Sequence, residues 1–397
     1  MEEKKAEHHA EHQGHTSHHS AKKNNNYYIF IGLCVVLGVV LIYSIIQTFG
    51  INSAMKEKTA KAAELAKPAK IQLSIIKDSK CTDCFDVSQI AAYTKTSKVE
   101  ITSEKNIEFD SNEGKQLIAQ YNLGKVPTVV VTGEIDKANI QGFEKKNGAL
   151  IFTQTTPPYV NATSGEVRGR ITLTSLADPA CTKCDDINTL VNQMKASGIK
   201  IVQQKNMSSS SDEGKSLISK YNLDFVPTII LSKDADAYPI INQAWKQLGT
   251  KESDGSYVLR TVYPPYINLT TNTLRGLVDI TYLTDKGCTD CYNVSTHRQI
   301  LSSPQTFAIK FDKETTVDIS DAAGKELLVK YNITKVPTVT LSSEVSAYPS
   351  AQGLKQFFSV EEDGSYIFRQ PAVVGAYKDL TTNQVVKPQQ QAQAAQQ

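Results

Sequence analysis

Six of the seven cysteines in this chain of 397 residues fall into three Cys-x-x-Cys pairs: Cys81 with Cys84, Cys181 with Cys184, and Cys288 with Cys291. Two cysteines at that spacing, placed at a helix start, can close a disulfide within one turn. The first would then lie beside the unpaired N–H groups and positive end of the helix dipole, which favour thiolate over thiol. Thiol pKa values in such motifs fall from about 8.5 to roughly 3.5–7.5. A low pKa supplies both a nucleophile at neutral pH and a good leaving group, and disulfide exchange needs both. The spacing therefore predicts that Cys81, Cys181 and Cys288 attack, while Cys84, Cys184 and Cys291 resolve a mixed disulfide. The same spacing also serves zinc sites and static disulfides. Zinc needs four ligands. Each pair offers two thiolates and almost no nearby histidine, so a metal would have to bridge modules, and none is expected at the pairs.

The elements that must position these sulfurs repeat with them. Cys81, Cys181 and Cys288 open three copies about one hundred residues apart, the length of a small domain rather than of a solenoid repeat. Each copy begins with an alternating apolar stretch (Ile71/Leu73/Ile75, Ile171/Leu173, Val278/Ile280/Tyr282), which predicts a strand. The cysteine pair and a helical pattern follow, best seen in Ile187, Leu190, Val191 and Met194. A second strand is expected in "VEIT", "IKIVQ" and "FAIKF". A short helix carrying "GK" comes next, with Leu117/Ile118/Tyr121 and their counterparts facing inward. It ends in Tyr-Asn, and after it come Val126-Pro127, Val226-Pro227 and Val336-Pro337, each continued by Thr and an apolar run that suits a strand buried on both faces. "NGALIF", "DGSYVL" and "DGSYIF" read as a turn and a last strand. The Pro-led linkers "PPYVNATSGEVRG" and "PPYINLTTNTLRG", and the related "YKDLTTNQVV", read as domain joints.

The order strand, CxxC, helix, strand, helix, Pro, strand resembles the thioredoxin superfamily, over roughly residues 68–384. The resemblance implies an α/β fold of three tandem thioredoxin-like domains, at 68–158, 167–265 and 274–384. It implies cis prolines at Pro127, Pro227 and Pro337 packed beside the cysteines, shielding them from metal ions. The backbone of the preceding Val126, Val226 and Val336 would be left free to pair with an extended substrate. The implied activity is similar to that of multi-domain protein disulfide isomerases: a thiol–disulfide oxidoreductase or isomerase acting on protein thiols, with no cofactor beyond the cysteines. The alternative is a non-catalytic surface or scaffold protein whose CxxC disulfides are structural.

The chain departs from the family pattern. Where thioredoxins carry Trp before the first cysteine, this sequence has Lys80, Ala180 and Gly287. Where they carry a buried Asp six residues before it, it has Ile75, Ser175 and Tyr282. Asp78, Asp178 and Asp285, three residues before the cysteine, could substitute as a base or form an Asx-turn. Within the motifs, Asp83 and Asp290 should raise the thiol pKa and Lys183 should lower it, so the middle module is expected to hold the most acidic thiol. His297 stands where Ile90 and Leu190 occupy an apolar face. It could tune the third site or be a half-buried helix residue. The segments "INQAWKQL" and "GLKQFF" look helical, and Trp245 reads as core. The usual C-terminal helix is not evident. Sequons occur at Asn161, Asn206, Asn268, Asn293 and Asn332.

The flanks differ in character. Charge is nearly balanced, 43 basic against 41 acidic residues, and no basic stripe interleaved with aromatics suggests nucleic acid as a partner. Residues 1–26 hold six of the seven histidines and predict a disordered tail that could bind a transition metal. Residues 385–397 read as a second disordered tail. From Tyr27 to Phe49 there is no charged residue, which predicts one N-terminal transmembrane helix, 27–49, in contact with membrane lipid, with a cleaved signal peptide as the alternative. A helical stalk, 50–67, would follow and end at Pro68. Because disulfide chemistry belongs outside the reducing cytosol, the expected arrangement is a cytoplasmic N-terminus with the redox modules outside, recharged by a possible membrane redox partner.

Overall fold

The computed structural model describes residues 26–388. The expected tails at 1–25 and 389–397 lie outside the described residues. The chain opens with one continuous helix, Asn26–Ala66, which ends just before Pro68. This helix overturns the expected transmembrane anchor. Among the described residues no helix is long and apolar enough to cross a membrane. The single-pass localisation, the lipid contact and the assignment of the modules to one side of a membrane fall with it.

Three similar sheet units follow. In the first, five strands lie in the order Val99–Glu108, Ala69–Lys77, Thr128–Gly133, Ala149–Phe152 and Phe143–Lys146. The first two are parallel, and Ala69–Lys77 is antiparallel to Thr128–Gly133. The second and third units repeat this order. Helix Ser88–Thr96 joins the parallel strands and helix Asn112–Tyr121 leads to the proline. Each unit buries an apolar cluster on either face of its sheet. Ile71, Leu73, Val129 and Val131 belong to one face of the first, and Ile76, Val130 and Ile151 to the other. The strand after the proline is therefore buried on both sides, as its continuous apolar run requires.

The repeated words acquire physical causes. Asn122, Asn222 and Asn332 adopt φ of 49°, 48° and 47°, the left-handed region that asparagine tolerates and that ends a helix. The hydroxyls of Tyr221 and Tyr331 donate to Asp254 and Asp363, 2.9 Å in each case, which ties Tyr-Asn to the Asp-Gly-Ser turns. The Thr of Val-Pro-Thr donates to the last strand: Thr128 to Phe152 O at 2.6 Å, Thr228 to Leu259 O at 2.8 Å, Thr338 to Phe368 O at 2.7 Å. A Cβ on Gly114 would collide with the Glu108 carbonyl oxygen, so the Gly-Lys helix packs against the end of its strand as closely as backbone allows.

Two segments differ from expectation. The third "second strand" begins at Phe311, after "FAIK", because Ala308 takes a positive φ of 52° and turns the chain. The Pro-led linkers form β-hairpins. Tyr159–Asn161 and Val167–Arg168 pair with each other and with Lys125–Val126, making a small three-stranded sheet that recurs twice. Asn161 and Asn268 cap the hairpin turns, each Oδ1 accepting two backbone N–H groups. Asp379 does the same in the third copy. The turn thus explains why an asparagine recurs at the first two positions. Helix Pro239–Leu248 realises "INQAWKQL", and its Trp245 is buried.

Candidate redox sites

Each cysteine pair rides on a turn that its aspartate builds. Asp78 O accepts from Cys81 N at 3.1 Å while Asp78 Oδ1 accepts from Lys80 N at 3.0 Å. Asp178 and Asp285 repeat both bonds. These are Asx-turns, and they occupy the carboxylates in shaping the loop. All three pairs are disulfide-bonded: Cys81–Cys84, Cys181–Cys184 and Cys288–Cys291.

The helices do not start at the cysteines. They begin at Ser88, Asn188 and Thr296, four or five residues beyond the second cysteine. Asp86, Asp186 and Asn293 form a further Asx-turn that delays them, each accepting from the N–H two residues on. The field of a helix end fades within its first turn, so the expected dipole activation of Cys81, Cys181 and Cys288 loses its basis. The Asp or Asn two residues after the second cysteine was the signal that could have revealed this.

The prolines stand where the resemblance implies. Val126–Pro127, Val226–Pro227 and Val336–Pro337 are cis, and so are Pro157–Pro158 and Pro264–Pro265 in the linkers. Cys291 Sγ lies 3.8 Å from the Val336 carbonyl oxygen. Cys81 and Cys84 share a packed cluster with Val126. Pro227 lines one cavity with Asp185, the residue after Cys184. The three units are thioredoxin-like domains.

No family model matches the chain, and no curated protein matches it. Among solved structures the chain is similar to ERdj5 form II, with 13% identity over 71% of this chain and a TM-score of 0.14. It spans only 39% of the length of that structure. It is similar to a point mutant of the alkylhydroperoxide reductase AhpF from Enterococcus faecalis, at 14% identity over 45% of this chain and 88% of that one, TM-score 0.15. A third is zinc-bound human ERp44, at 11% identity over 73% of this chain and 85% of that one, TM-score 0.14. With TM-scores this low the likenesses add nothing about mechanism. Strand order, cysteine turn and prolyl peptide carry the fold assignment.

The valines before the prolines are not open to solvent or to a guest strand. Register pairs Val126 with Val160, Val226 with Ile267 and Val336 with Lys378. Ala162 N donates to Gly124 O, which places Val126 and Val160 in the class of antiparallel pair that exchanges both backbone bonds. The expectation that Val126, Val226 and Val336 offer free backbone is thus corrected: the linker hairpin already occupies it. The linker also braces the cysteine turn, since Phe85 N, Asp185 N and Tyr292 N donate to Pro158 O, Pro265 O and Ala376 O at 2.7–2.8 Å.

Charges near the sulfurs come partly from other modules. Asp83 Oδ1 lies 3.7 Å from Cys81 Sγ, and the guanidinium of Arg170, from the start of the second module, pairs with Asp83 and comes within 3.6 Å of the same sulfur. Arg170 holds the Asp83 carboxyl below the usual carboxylate range. Lys183 is paired with Asp312 of the third module, Lys310 with Asp185, and Asp290 with Lys387. The charge inventory behind the expected ranking of the three thiols is therefore changed: Lys183 is committed elsewhere and Cys81 gains a cation.

His297 is more deeply placed than a half-buried helix residue, being only 3% exposed. Tyr292 donates its hydroxyl to Pro337 O at 2.7 Å, and His297 Nε2 lies 2.9 Å from the same hydroxyl oxygen. With the Tyr292 hydrogen committed to the carbonyl, Nε2 must carry the hydrogen of a neutral ring and donate it. Burial pushes the His297 pKa down to about 4. In the unfolded chain the ring takes up a proton as pH falls through about 6.5. The third module resists protonation until near 4, so it loses stability progressively across that window, by roughly 3 kcal/mol at most. An NMR titration of the His297 ring should give a midpoint near 4, and a midpoint near 6.5 would contradict the burial argument. His297→Leu, the residue type of the second module, should remove the pH dependence.

Proposed function

We propose that the three modules form a thiol–disulfide oxidoreductase or isomerase acting on protein thiols and disulfides. The observation that carries this reading is the contact between a cysteine pair and its Val-Pro peptide, most direct where Cys291 Sγ meets Val336 O at 3.8 Å. The cysteines of the second and third sites are half-buried, whereas Cys81 of the first is buried.

In the reducing direction, the thiolate of Cys81, Cys181 or Cys288 attacks one sulfur of a substrate disulfide. A mixed disulfide forms, and the other substrate sulfur leaves as thiolate and takes a proton from water. Cys84, Cys184 or Cys291, as thiolate, then attacks the first cysteine. The module ends as the disulfide and the substrate as two thiols, two electrons having moved. A dithiol must reduce the module again; the oxidising direction is the reverse. Pro127, Pro227 and Pro337 and the preceding valines are buried, so they would back the cysteine turn from within rather than touch a substrate. Because Val126 is paired with the hairpin, a substrate strand would bond at residue 125, 225 or 335, whose backbone points to the other edge.

That same pairing favours a second reading, in which the hairpin permanently fills the substrate edge and the disulfides are structural. Trapping separates the two. With Cys84→Ser, Cys184→Ser and Cys291→Ser combined, a reduced chain mixed with a disulfide-containing protein such as insulin should accumulate mixed disulfides through Cys81, Cys181 and Cys288. Absence of any adduct would favour the structural reading.

A further inference from the structure

We infer that Arg170, supplied by the second module, is the thiolate-stabilising residue of the first site, so that the Cys81 pair is activated only when modules one and two are docked. The inference rests on the redox reading of that site. Its geometry is specific: Arg170 Nη2 lies 3.6 Å from Cys81 Sγ, and Nε lies 3.2 Å from Asp83 Oδ2. One guanidinium thus bridges the attacking sulfur and the carboxylate that would otherwise oppose its ionisation. Cys81 is 8% exposed, while the Arg170 side chain is 39% exposed and keeps part of its guanidinium in water, so the attraction is partly screened.

The other charged and titratable groups around this sulfur do not replace Arg170. Lys80 is paired with Asp110. Asp78 holds the Asx-turn and adds negative charge near Arg170. Lys200 and Tyr238 reach Asp83 only as more distant electrostatic neighbours. At the equivalent place for the second site stands Leu277, directly before strand Val278–Thr284. The helix end that could have activated the thiol starts only at Ser88. Reduction of the pair by a dithiol delivers two electrons and one proton, leaving Cys81 as thiolate and Cys84 as thiol, and Arg170 stabilises that product.

The test is the pH profile of iodoacetamide alkylation in the full reduced chain, read at the Cys81 peptide by mass spectrometry. In the parent chain Cys81 should react as a thiol well below the ordinary value of about 8.5. Arg170→Gln should move the midpoint of that profile up by about one unit and slow alkylation about threefold to eightfold at neutral pH, since it removes the cation and leaves Asp83 unopposed. Arg170→Lys should keep most of the rate. Asp83→Asn should raise it, and combining Asp83→Asn with Arg170→Gln should return it towards the parent. An unchanged Cys81 profile in folded Arg170→Gln, or an ordinary thiol pKa in the parent, overturns the inference. An Arg170-dependent profile in a protein that forms no adduct with insulin would sustain the inference and defeat the functional reading instead.

Discussion

Replacing Cys81, Cys181 and Cys288 together by serine should abolish disulfide exchange with a protein substrate, lowering the rate at least about 100-fold. A serine hydroxyl stays protonated where a thiolate would form, and the resolving cysteines stand one turn away from the attack position. Restoring one first cysteine at a time should return part of the activity, and the first module should recover most at neutral pH because Arg170 stands beside Cys81. Insulin reduction with a dithiol measures this. Full activity in the triple variant would assign the chemistry to other residues.

The largest stability effect is expected at Trp245, the only tryptophan in the chain. It is 5% exposed, its Nε1 donates to Val258 O at 3.1 Å, and its ring meets Tyr257 edge-on at 5.9 Å. Trp245→Ala leaves a cavity and removes the indole hydrogen bond to Val258 O, so the second module should lose about 3–5 kcal/mol. Because each module packs its own clusters, the loss should stay local. Hydrogen exchange should speed up about 100-fold or more at the amides of Ile229 and Leu231, and stay unchanged at Val129 and Val339. Equal acceleration in all three sheets would show that the modules do not hold themselves together independently.

What the sequence made legible was whatever is encoded locally and repeated. The alternation in Ile71/Leu73/Ile75 gave the first strand, the apolar run after Pro127 the doubly buried one, and the recurrence of Val-Pro-Thr beside CxxC the thioredoxin-like order. Trp245 read correctly as core. Local pattern could not show what distant segments contribute. Arg170 reaches Asp83 across 87 positions, and Lys183 finds Asp312 across 129, so neither pairing leaves a trace near the motif. The Pro-Pro linkers looked like joints because their polar residues face a turn, yet Asn161 and Asn268 cap hairpins that close over the valine before each proline. The helix start was misplaced because Asp86, Asp186 and Asn293 stop the chain between cysteine and helix. The apolar stretch from Tyr27 suggested a membrane span from composition alone. The helix runs on unbroken into the charged stalk, and among the described residues no helix is long and apolar enough to cross a membrane.

The central claim is that the three disulfides are exchanged rather than fixed. Equilibrating the full chain against glutathione or dithiothreitol buffers of graded potential, and labelling the thiols of each pair for mass spectrometry, measures it directly. The account predicts at least one pair, led by Cys81–Cys84, titrating well above about −300 mV, where exchange with protein thiols is feasible. Three pairs that all stay oxidised down to and below that potential would contradict it.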